Sequence, residues 1–269
     1  MDYLIIGGDA RFGCLARLLR QRGERVGTIY RDPVADVPAL KAAALSRAKR
    51  VVVNDPPRLT GSAMSFDELL SALGEDATVY ACGPWHPSVD GRVIDLWSDE
   101  ALILDNAALT AEGAIVAAMR ASDAAVCDSR CLVIGWGRIG RALTERLVAL
   151  GARVTVASRS SAGRNRAVER GAEAVDTARI AEDLPGHGLI FNTAPGLVLD
   201  EKALQQADGD ALIVDLASAP YGVDLSAAWS LGLRAWREPG LPGRYCPRSA
   251  ARALLRAIDR RERGGDGDA

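Results

Sequence analysis

The chain has 269 residues, of which 48% are hydrophobic and 25% charged, so it is long enough for two ordinary globular domains. Its formal net charge of -2 at pH 7 argues against a general binder of nucleic acid or of membrane surfaces. No apolar run approaches the roughly 20 residues that cross a bilayer. The opening MDYLIIGGDAR has an acidic residue and a short apolar run broken by glycine, which predicts a first strand and not a signal peptide.

The cysteines are five in number and lack both the paired spacing of a zinc site and the density of a disulfide scaffold. They are Cys14, Cys82, Cys127, Cys131 and Cys246. Cys127 and Cys131 are the only close pair, and no histidine or further cysteine lies near them in the sequence. We therefore expect no metal site and a reducing, cytoplasmic environment.

Short apolar runs alternate with helical patterns such as RFGCLARLLRQRG in the first half of the chain. The runs begin at Tyr3, Arg25, Arg50 and Thr78. This alternation predicts an α/β domain with a parallel sheet of the flavodoxin or Rossmann type. Because the carboxyl ends of parallel strands share one edge, the loops after Ile6, Asn54 and Cys82 are expected to face a ligand.

Residues 106–122 predict a long helix that links two domains, with Thr110 as its N-cap and Glu112 near its first turn. A second βα series follows, with strands expected near residues 130–134, 153–157, 188–192, 211–216 and 233–236. We expect a substrate or catalytic domain over residues 1–122 and a Rossmann domain over residues 123–248. A last helix over residues 249–263 is expected to return to the first domain, and residues 264–269 to form a disordered tail.

The stretch CLVIGWGRIGRAL is typical of a dinucleotide-binding loop between a strand and a helix. Gly135 allows the tight turn, Gly137 lets a pyrophosphate approach the backbone, and Gly140 lets the helix lie close to the strand. The loop also contains Trp136, Arg138 and Ile139. The helix N-terminus supplies N–H groups and a partial positive charge. The alternative is a tight turn that binds no ligand.

The next strand, RVTVASRS, predicts which nicotinamide cofactor is bound. An NAD enzyme places an acidic residue about 20 residues after the glycines, where it binds the ribose 2'-hydroxyl. This chain has Ser158, Arg159 and Ser160 instead. A guanidinium and two hydroxyls suit a 2'-phosphate, so the pattern favours NADP over NAD. Arg138 is either a further phosphate contact or a solvated side chain.

Two later strands end in loops that are expected near the same cofactor. In FNTAPGLVLD, we expect Asn192, Thr193 and Pro195 to lie beside the nicotinamide ribose. In LIVDLASAPYGVD, a strand ends at Asp215 and Ser218 follows in a loop that is expected to line the same cleft. An ordinary turn from strand to helix is the alternative for both.

Several separate segments together resemble one family, that of the A subunit of dipicolinate synthase. They are IIGGDAR, NAALTAEGAI, VIGWGRIG, FNTAPGLVLD, IVDLASAPYGVD and PGLPGRYCPRSA, in this order along nearly the entire chain. The dinucleotide loop is common to many proteins, so LTAEGAI, DLAS..P.GVD and PGLPG are the more specific segments. At Arg244 the matching form of the last segment has lysine, which keeps the charge but not the fork geometry.

The resemblance implies a cytoplasmic oxidoreductase of the mother cell in spore-forming bacteria. With a smaller, flavoprotein-like B subunit, such an enzyme converts the dihydrodipicolinate product of the lysine pathway into dipicolinate, with NADP as the electron acceptor. A planar ring with two carboxylates needs cationic or N–H donors at both ends. Arg11 and Arg244, each in a glycine-bearing loop, are the candidates. Removal of one ring proton also needs a base, for which Asp9, His86, Glu112 and Asp215 are rivals.

Two other functions stay open at this point. One is a different two-domain NADP-dependent dehydrogenase of a small carboxylic acid, although no Lys-Asp or His-Glu pair is evident in the first half of the sequence. The other is a non-catalytic NADP-binding partner of the B subunit. The sequence leaves a homo-oligomer open as well.

Overall fold

The structure, a computed structural model, describes residues 1–29, 45–54, 58–59, 62–63, 66–82 and 91–265. His86 lies outside the described residues, and so does most of the predicted tail.

The first part of the chain alternates strands and helices up to a long helix. The elements are β1 (Tyr3–Ile6), α1 (Ala10–Gln21), β2 (Val26–Ile29), β3 (Arg50–Asn54), β4 (Arg58–Leu59), β5 (Ser62–Ala63), α2 (Phe66–Ala72), β6 (Thr78–Cys82), β7 (Val93–Asp95) and α3 (Glu100–Ala121). The predicted N-cap at Thr110 is wrong, because α3 begins at Glu100 and Thr110 is buried in its interior. Asp99 caps the helix instead: its carboxylate accepts a hydrogen bond from the Leu102 N–H at 2.9 Å.

The second part of the chain continues the alternation. Its elements are β8 (Arg130–Ile134), α4 (Arg138–Ala149), β9 (Arg153–Ala157), α5 (Ser161–Glu169), β10 (Glu173–Val175), α6 (Ile180–Asp183), β11 (Leu189–Asn192), α7 (Glu201–Leu204), β12 (Leu212–Asp215), α8 (Leu225–Ser230), β13 (Arg234–Arg237), α9 (Leu241–Tyr245) and α10 (Pro247–Gly265). The short strands β4, β5, β7 and β10 were not predicted from the sequence.

The chain divides into two compact units. Unit 1 comprises residues 1–106 and 242–269, and unit 2 comprises residues 107–241. The described residues of unit 1 form a parallel sheet in the order β2-β1-β3-β6-β7, and those of unit 2 a parallel sheet in the order β10-β9-β8-β11-β12-β13. The predicted α/β class with two parallel sheets is confirmed. The boundaries after residues 122 and 248 stay a prediction.

In unit 1, α10 packs against α1 and completes the core on one face of the sheet. Apolar side chains of α10 such as Leu254 and Ile258 lie in one cluster with Phe12 and Leu15 of α1. Ion pairs hold the polar side of α10 to the same unit: Arg22–Asp259 at 2.7 Å, Arg260–Asp99 at 2.8 Å and Arg256–Asp105 at 2.7 Å. The C-terminal helix is therefore part of unit 1.

In unit 2, the central strands β8, β11 and β12 are apolar on both faces, as expected for a parallel sheet covered by helices on both sides. Every residue of β11 and β12 is buried, including Asn192 and Asp215 at their carboxyl ends. These two polar residues come at the edge of the sheet where parallel strands present their loops.

Helix α3 is the one described helix whose length and hydropathy would allow it to cross a membrane, with a mean hydropathy of 1.4 over 18 residues. Core helices have the same composition, and 44% of this window is buried in the protein, so the finding assigns no membrane.

Candidate functional site

The glycine loop between β8 and α4 leaves its backbone open to a ligand. Gly135 has a φ of 103°, and Gly137 caps α4 with extended backbone. A Cβ atom on Gly140 would overlap the carbonyl oxygen of Gly135, whereas one on Gly137 would meet no atom within 4 Å. The turn therefore requires glycine at residue 140 for close packing, while Gly137 borders empty space at the N-terminus of α4.

A cavity of about 650 Å³ lies at the carboxyl edge of the unit 2 sheet, beside this loop. It is large enough for a cofactor-sized ligand. Its walls are three segments that follow β8, β9 and β11, together with the segment after β10. These segments contribute Gly135, Trp136, Gly137, Ser158, Arg159, Ser160, Thr193 and Pro195 of the predicted site. Arg138, Ile139, Gly140 and Asn192 do not line it.

The segment after β9 carries the residues that were predicted to select NADP. Ser158 is buried, and Arg159 and Ser160 are exposed. The Ser160 hydroxyl caps α5 by accepting a hydrogen bond from Gly163 N–H at 3.3 Å. Among the described residues, the Arg159 guanidinium forms no hydrogen bond or ion pair. The positive charge of Arg159, which has no partner among the described residues, thus lies at this end of the cavity.

The segment after β11 is held to the glycine loop by Thr193. Its N–H and its hydroxyl both donate to the Ile134 carbonyl, at 2.8 Å and 2.9 Å. The side chain of Asn192 supports the same segment. Its Nδ2 donates a hydrogen bond to Ala194 O at 3.0 Å, and its Oδ1 accepts one from Ala194 N at 3.2 Å. Asn192 is completely buried and so acts on the cavity through the backbone of Ala194.

Asp215 forms the centre of a buried network behind this wall. Its carboxylate accepts hydrogen bonds from Asn192 Nδ2 at 2.8 Å, Ala217 N at 3.2 Å and Gly222 N at 3.2 Å, and Arg237 Nε lies 3.7 Å away. The Arg237 guanidinium stacks on the ring of Tyr221, with Cζ 3.9 Å from its centroid. The Asp215 carboxylate is thus fully engaged with these partners.

The loop that follows Asp215 carries Ser218 and a strained residue. Ser218 is exposed, and its carbonyl accepts a hydrogen bond from Tyr221 N at 3.0 Å. It does not line the cavity. Tyr221 has a φ of 63°, in the left-handed region that is rare for an aromatic residue.

In unit 1, Asp9 and Arg11 form a tight pair at the carboxyl edge of the sheet. Arg11 Nε donates to both carboxylate oxygens of Asp9, at 2.9 Å and 3.0 Å, and Nη2 donates to Oδ2 at 2.8 Å. Asp9 also caps α1 through Arg11 N–H. A Cβ on Gly243 would overlap the Asp9 carboxylate, so Gly243 lies directly against this pair. The neighbouring Arg244 is exposed, with Cζ 5.5 Å from the centroid of the Tyr245 ring.

Three further titratable side chains, those of Glu112, His187 and Cys82, do not line the cavity. Glu112 is exposed on α3 and accepts from Arg146 Nη2 at 3.0 Å. His187 is buried just before β11, at the end of the sheet opposite the cavity, and burial lowers its pKa. Burial raises the pKa of the Cys82 thiol to about 12, which keeps it protonated and unreactive. Among the described residues, no group of three or more His, Cys, Asp or Glu side chains could hold a metal ion.

Sequence reasoning missed several residues of the cavity and of its supporting shell. Asp176, Thr177, Ala178, Leu197 and Val198 line the cavity. The first three follow β10, whose three residues are too short for a periodicity signal. Arg164 and Arg237 also escaped notice, because an arginine on a helix or at a strand end looks like a solvated side chain until its partner is known.

Comparison with known proteins agrees with this geometry. Residues 124–225 match a family described as "Putative NAD(P)-binding". This match supports a nicotinamide cofactor, without distinguishing NADP from NAD.

A curated relative, the dipicolinate synthase A subunit of Bacillus subtilis strain 168, is 32% identical over 169 residues, which is 63% of this chain and 57% of the relative. Two solved structures of dipicolinate synthase A subunits have the same fold. The Bacillus halodurans structure has a TM-score of 0.80 at 23% identity and covers 96% of this chain and 97% of its own. The Bacillus subtilis structure has a TM-score of 0.78 at 22% identity and covers 100% and 98%.

The chain therefore resembles the dipicolinate synthase A subunit in sequence over 63% of its length and in fold over at least 96% of it, which confirms the resemblance that its motifs indicate.

Proposed function

We propose that this chain is the NADP-dependent subunit of a dipicolinate synthase, which oxidises a dihydrodipicolinate to dipicolinate. One observation carries the proposal: a cavity of about 650 Å³ joins the glycine loop to Ser158–Ser160 and to the segment after Asn192. It occurs in a chain that is 32% identical to a curated dipicolinate synthase A subunit over 169 residues. The enzyme works in the cytoplasm of the mother cell during sporulation, together with a flavoprotein-like B subunit.

The residues of the cavity fit a dinucleotide. The open backbone at Gly137 and the N-terminus of α4 would hold the pyrophosphate, and Thr193 and Pro195 would border the nicotinamide ribose. When bound, the cofactor supplies a hydride acceptor. The protein's part is to position it and to exclude competing reactions.

The choice of NADP depends on the segment after β9. Neither Ser158 nor Ser160 can repel a 2'-phosphate, and the Arg159 guanidinium, which has no partner among the described residues, would bind it through charge-assisted hydrogen bonds. No carboxylate occupies the sequence position that selects NAD.

The substrate is a ring with two carboxylates, for which Arg11 and Arg244 are the proposed cationic partners. Oxidation removes one hydride and one proton, and the ring becomes aromatic. Asp9 and Glu112 both stay candidate bases, because their side chains are 39% and 55% exposed and each is paired with one arginine, whereas Asp215 is buried. His86 stays a rival outside the described residues.

A non-catalytic role is the second candidate, and one observation favours it. Asp9 already occupies the Nε and Nη2 edge of Arg11, so the pair is electrically balanced before any substrate arrives. In this alternative the chain binds NADP and the B subunit performs the oxidation.

An assay with purified proteins separates the two functions. The chain is incubated with freshly generated dihydrodipicolinate and NADP, with and without the B subunit, while dipicolinate and NADPH are followed together. Equal amounts of both products from this chain alone would reject the non-catalytic role. Dipicolinate only in the presence of the B subunit, and without NADPH, would reject hydride transfer to NADP.

A variant tests the cofactor assignment. Arg159→Asp introduces the carboxylate that repels a 2'-phosphate, so it should weaken binding of NADPH much more than binding of NADH. Equal weakening of both would remove Arg159 from the site. Arg166→Asp, an exposed arginine on α5, is the matched control.

A further inference from the structure

The end of the cavity that holds Arg159 also contains a carboxylate, whose position there was not predicted from the sequence. Strands β9 and β10 are parallel neighbours, with Val175 opposite Ala157, so the segments after both leave the sheet at one edge. Asp176 follows β10 and lines the cavity together with Ser158–Ser160. Its side chain is 39% exposed. An unpaired carboxylate here would repel the 2'-phosphate of NADP, because like charges a few ångströms apart disfavour binding.

Arg164 compensates this carboxylate. It lies on α5, and its Nη1 is 2.8 Å from Asp176 Oδ2. The Arg164 side chain is only 25% exposed, so water screens the pair less than it screens an ordinary surface pair. The negative charge that faces the cavity is therefore matched by a cation from the protein.

The same Nη1 also fixes the backbone that carries Arg159. It donates to Ser158 O at 2.7 Å and lies 3.1 Å from Arg159 O. Next to Arg164 in sequence, Gly163 allows the helix to approach this segment: a Cβ there would lie 2.7 Å from Ser158 Oγ and 3.3 Å from Trp136 Cβ. One guanidinium thus neutralises Asp176 and holds the segment that carries Arg159.

We infer that Arg164 is a specificity-determining residue of the cofactor site: its pairing with Asp176 removes the charge that would oppose a 2'-phosphate, and so favours NADP over NAD. The inference rests on the proposed NADP-binding function and adds to it a second arginine, which acts through a carboxylate instead of touching the phosphate.

Binding measurements test it without any catalytic assay. Dissociation constants for NADPH and NADH are measured by cofactor fluorescence for the wild type and for Arg164→Met, Asp176→Asn and the double variant. We expect Arg164→Met to shift the NADPH/NADH ratio of dissociation constants against NADPH by about three- to tenfold, because it exposes the Asp176 charge. Asp176→Asn should shift the ratio in the opposite direction, and the double variant should return to within about twofold of the wild type.

The controls separate this inference from the proposed function. Arg166→Met, which removes an exposed arginine of the same helix, should leave the ratio unchanged, and circular dichroism should show that all variants are folded. A wild type that binds NADH as tightly as NADPH contradicts the proposed cofactor, while the opposite shifts in the two single variants still test Arg164. An unchanged ratio in Arg164→Met, or a double variant as impaired as Arg164→Met, overturns the inference.

Discussion

Asn192 and Asp215 are joined by a 2.8 Å hydrogen bond across the carboxyl ends of β11 and β12, and both side chains are buried. The bond connects the wall of the cavity to the network of Arg237 and Tyr221. A single amide therefore supports two loops, one through Ala194 and one through Asp215.

Replacement of Asn192 by Ala should destabilise the protein by about 1–3 kcal/mol, because it leaves a buried carboxylate and the polar groups of Ala194 with fewer partners. The free energy of unfolding is measured by urea denaturation. NADPH affinity should fall as well, since the segment from Thr193 to Val198 loses its support. Asn165→Ala, an exposed position on α5, is the control and should change stability by less than about 0.5 kcal/mol. An equally small effect at residue 192 would contradict a supporting role.

The glycines of the loop should differ in what they contribute. Gly140→Ala places a Cβ against Gly135 O and 3.0 Å from Thr193 Oγ1, so it should cost about 1–3 kcal/mol of stability and abolish NADPH binding. Gly137→Ala meets no atom within 4 Å and should leave thermal stability unchanged, yet weaken NADPH because its methyl group occupies the pyrophosphate position. Fluorescence titration and thermal unfolding measure the two effects. Tight NADPH binding by Gly137→Ala would place the pyrophosphate elsewhere.

The tyrosine cluster under α10 should make the protein sensitive to alkali. The hydroxyls of Tyr3 and Tyr80 lie 2.8 Å and 3.2 Å from Glu262 Oε1. Burial, the larger cause, and the Glu262 carboxylate, the second cause, raise the pKa of both tyrosines above the ordinary value of 10.0. Above pH 10 the unfolded chain loses these protons while the folded protein keeps them. Stability should therefore fall as the pH rises, by up to about 1.4 kcal/mol per pH unit for each tyrosine.

Urea denaturation between pH 8 and pH 11 measures this slope. The double variant Tyr3→Phe/Tyr80→Phe should show a clearly shallower decline than the wild type. Glu262→Gln should reduce the slope only in part, because burial, the larger cause of both shifts, remains. Identical slopes in the wild type and the double variant would contradict the assignment.

Gly243 should matter because of Asp9. Any side chain at residue 243 displaces the Asp9 carboxylate, which caps α1 and holds Arg11, so Gly243→Ala should cost about 1 kcal/mol or more. The same substitution in an Asp9→Ala background should cost much less, since the obstructing carboxylate is gone. Thermal unfolding of the four proteins measures this coupling. Gly264→Ala, where a Cβ meets nothing within 4 Å, is the control. Additive effects of the first two substitutions would show that they act independently.

The sequence predicted those features that have a short-range signature. Periodic apolar runs identified β8, β9, β11 and β12, and the spacing of Gly135, Gly137 and Gly140 identified the dinucleotide loop, because each follows from local backbone geometry. The start of α3 was missed although Asp99 is a good N-cap residue and the EALIL that follows it favours a helix.

Side-chain partnerships were beyond the sequence because they join distant residues. Arg11 was expected to bind a carboxylate of the substrate, but its guanidinium forms an ion pair with Asp9. Asp176 and Arg164 are 12 positions apart, and only the pairing of β9 with β10 brings them to one edge of the cavity. Charge at a binding site is set by such pairs, so residue type alone predicts it poorly.

The return of α10 to unit 1 has a consequence for biosynthesis. Unit 2 is a continuous segment, so the ribosome delivers all of it before residues 242–269 emerge. Phe12 and Leu15 of α1 are covered by Leu254 and Ile258, so this apolar surface stays open to water throughout the synthesis of unit 2. Unit 2 can thus be complete while α1 still lacks the helix that covers it.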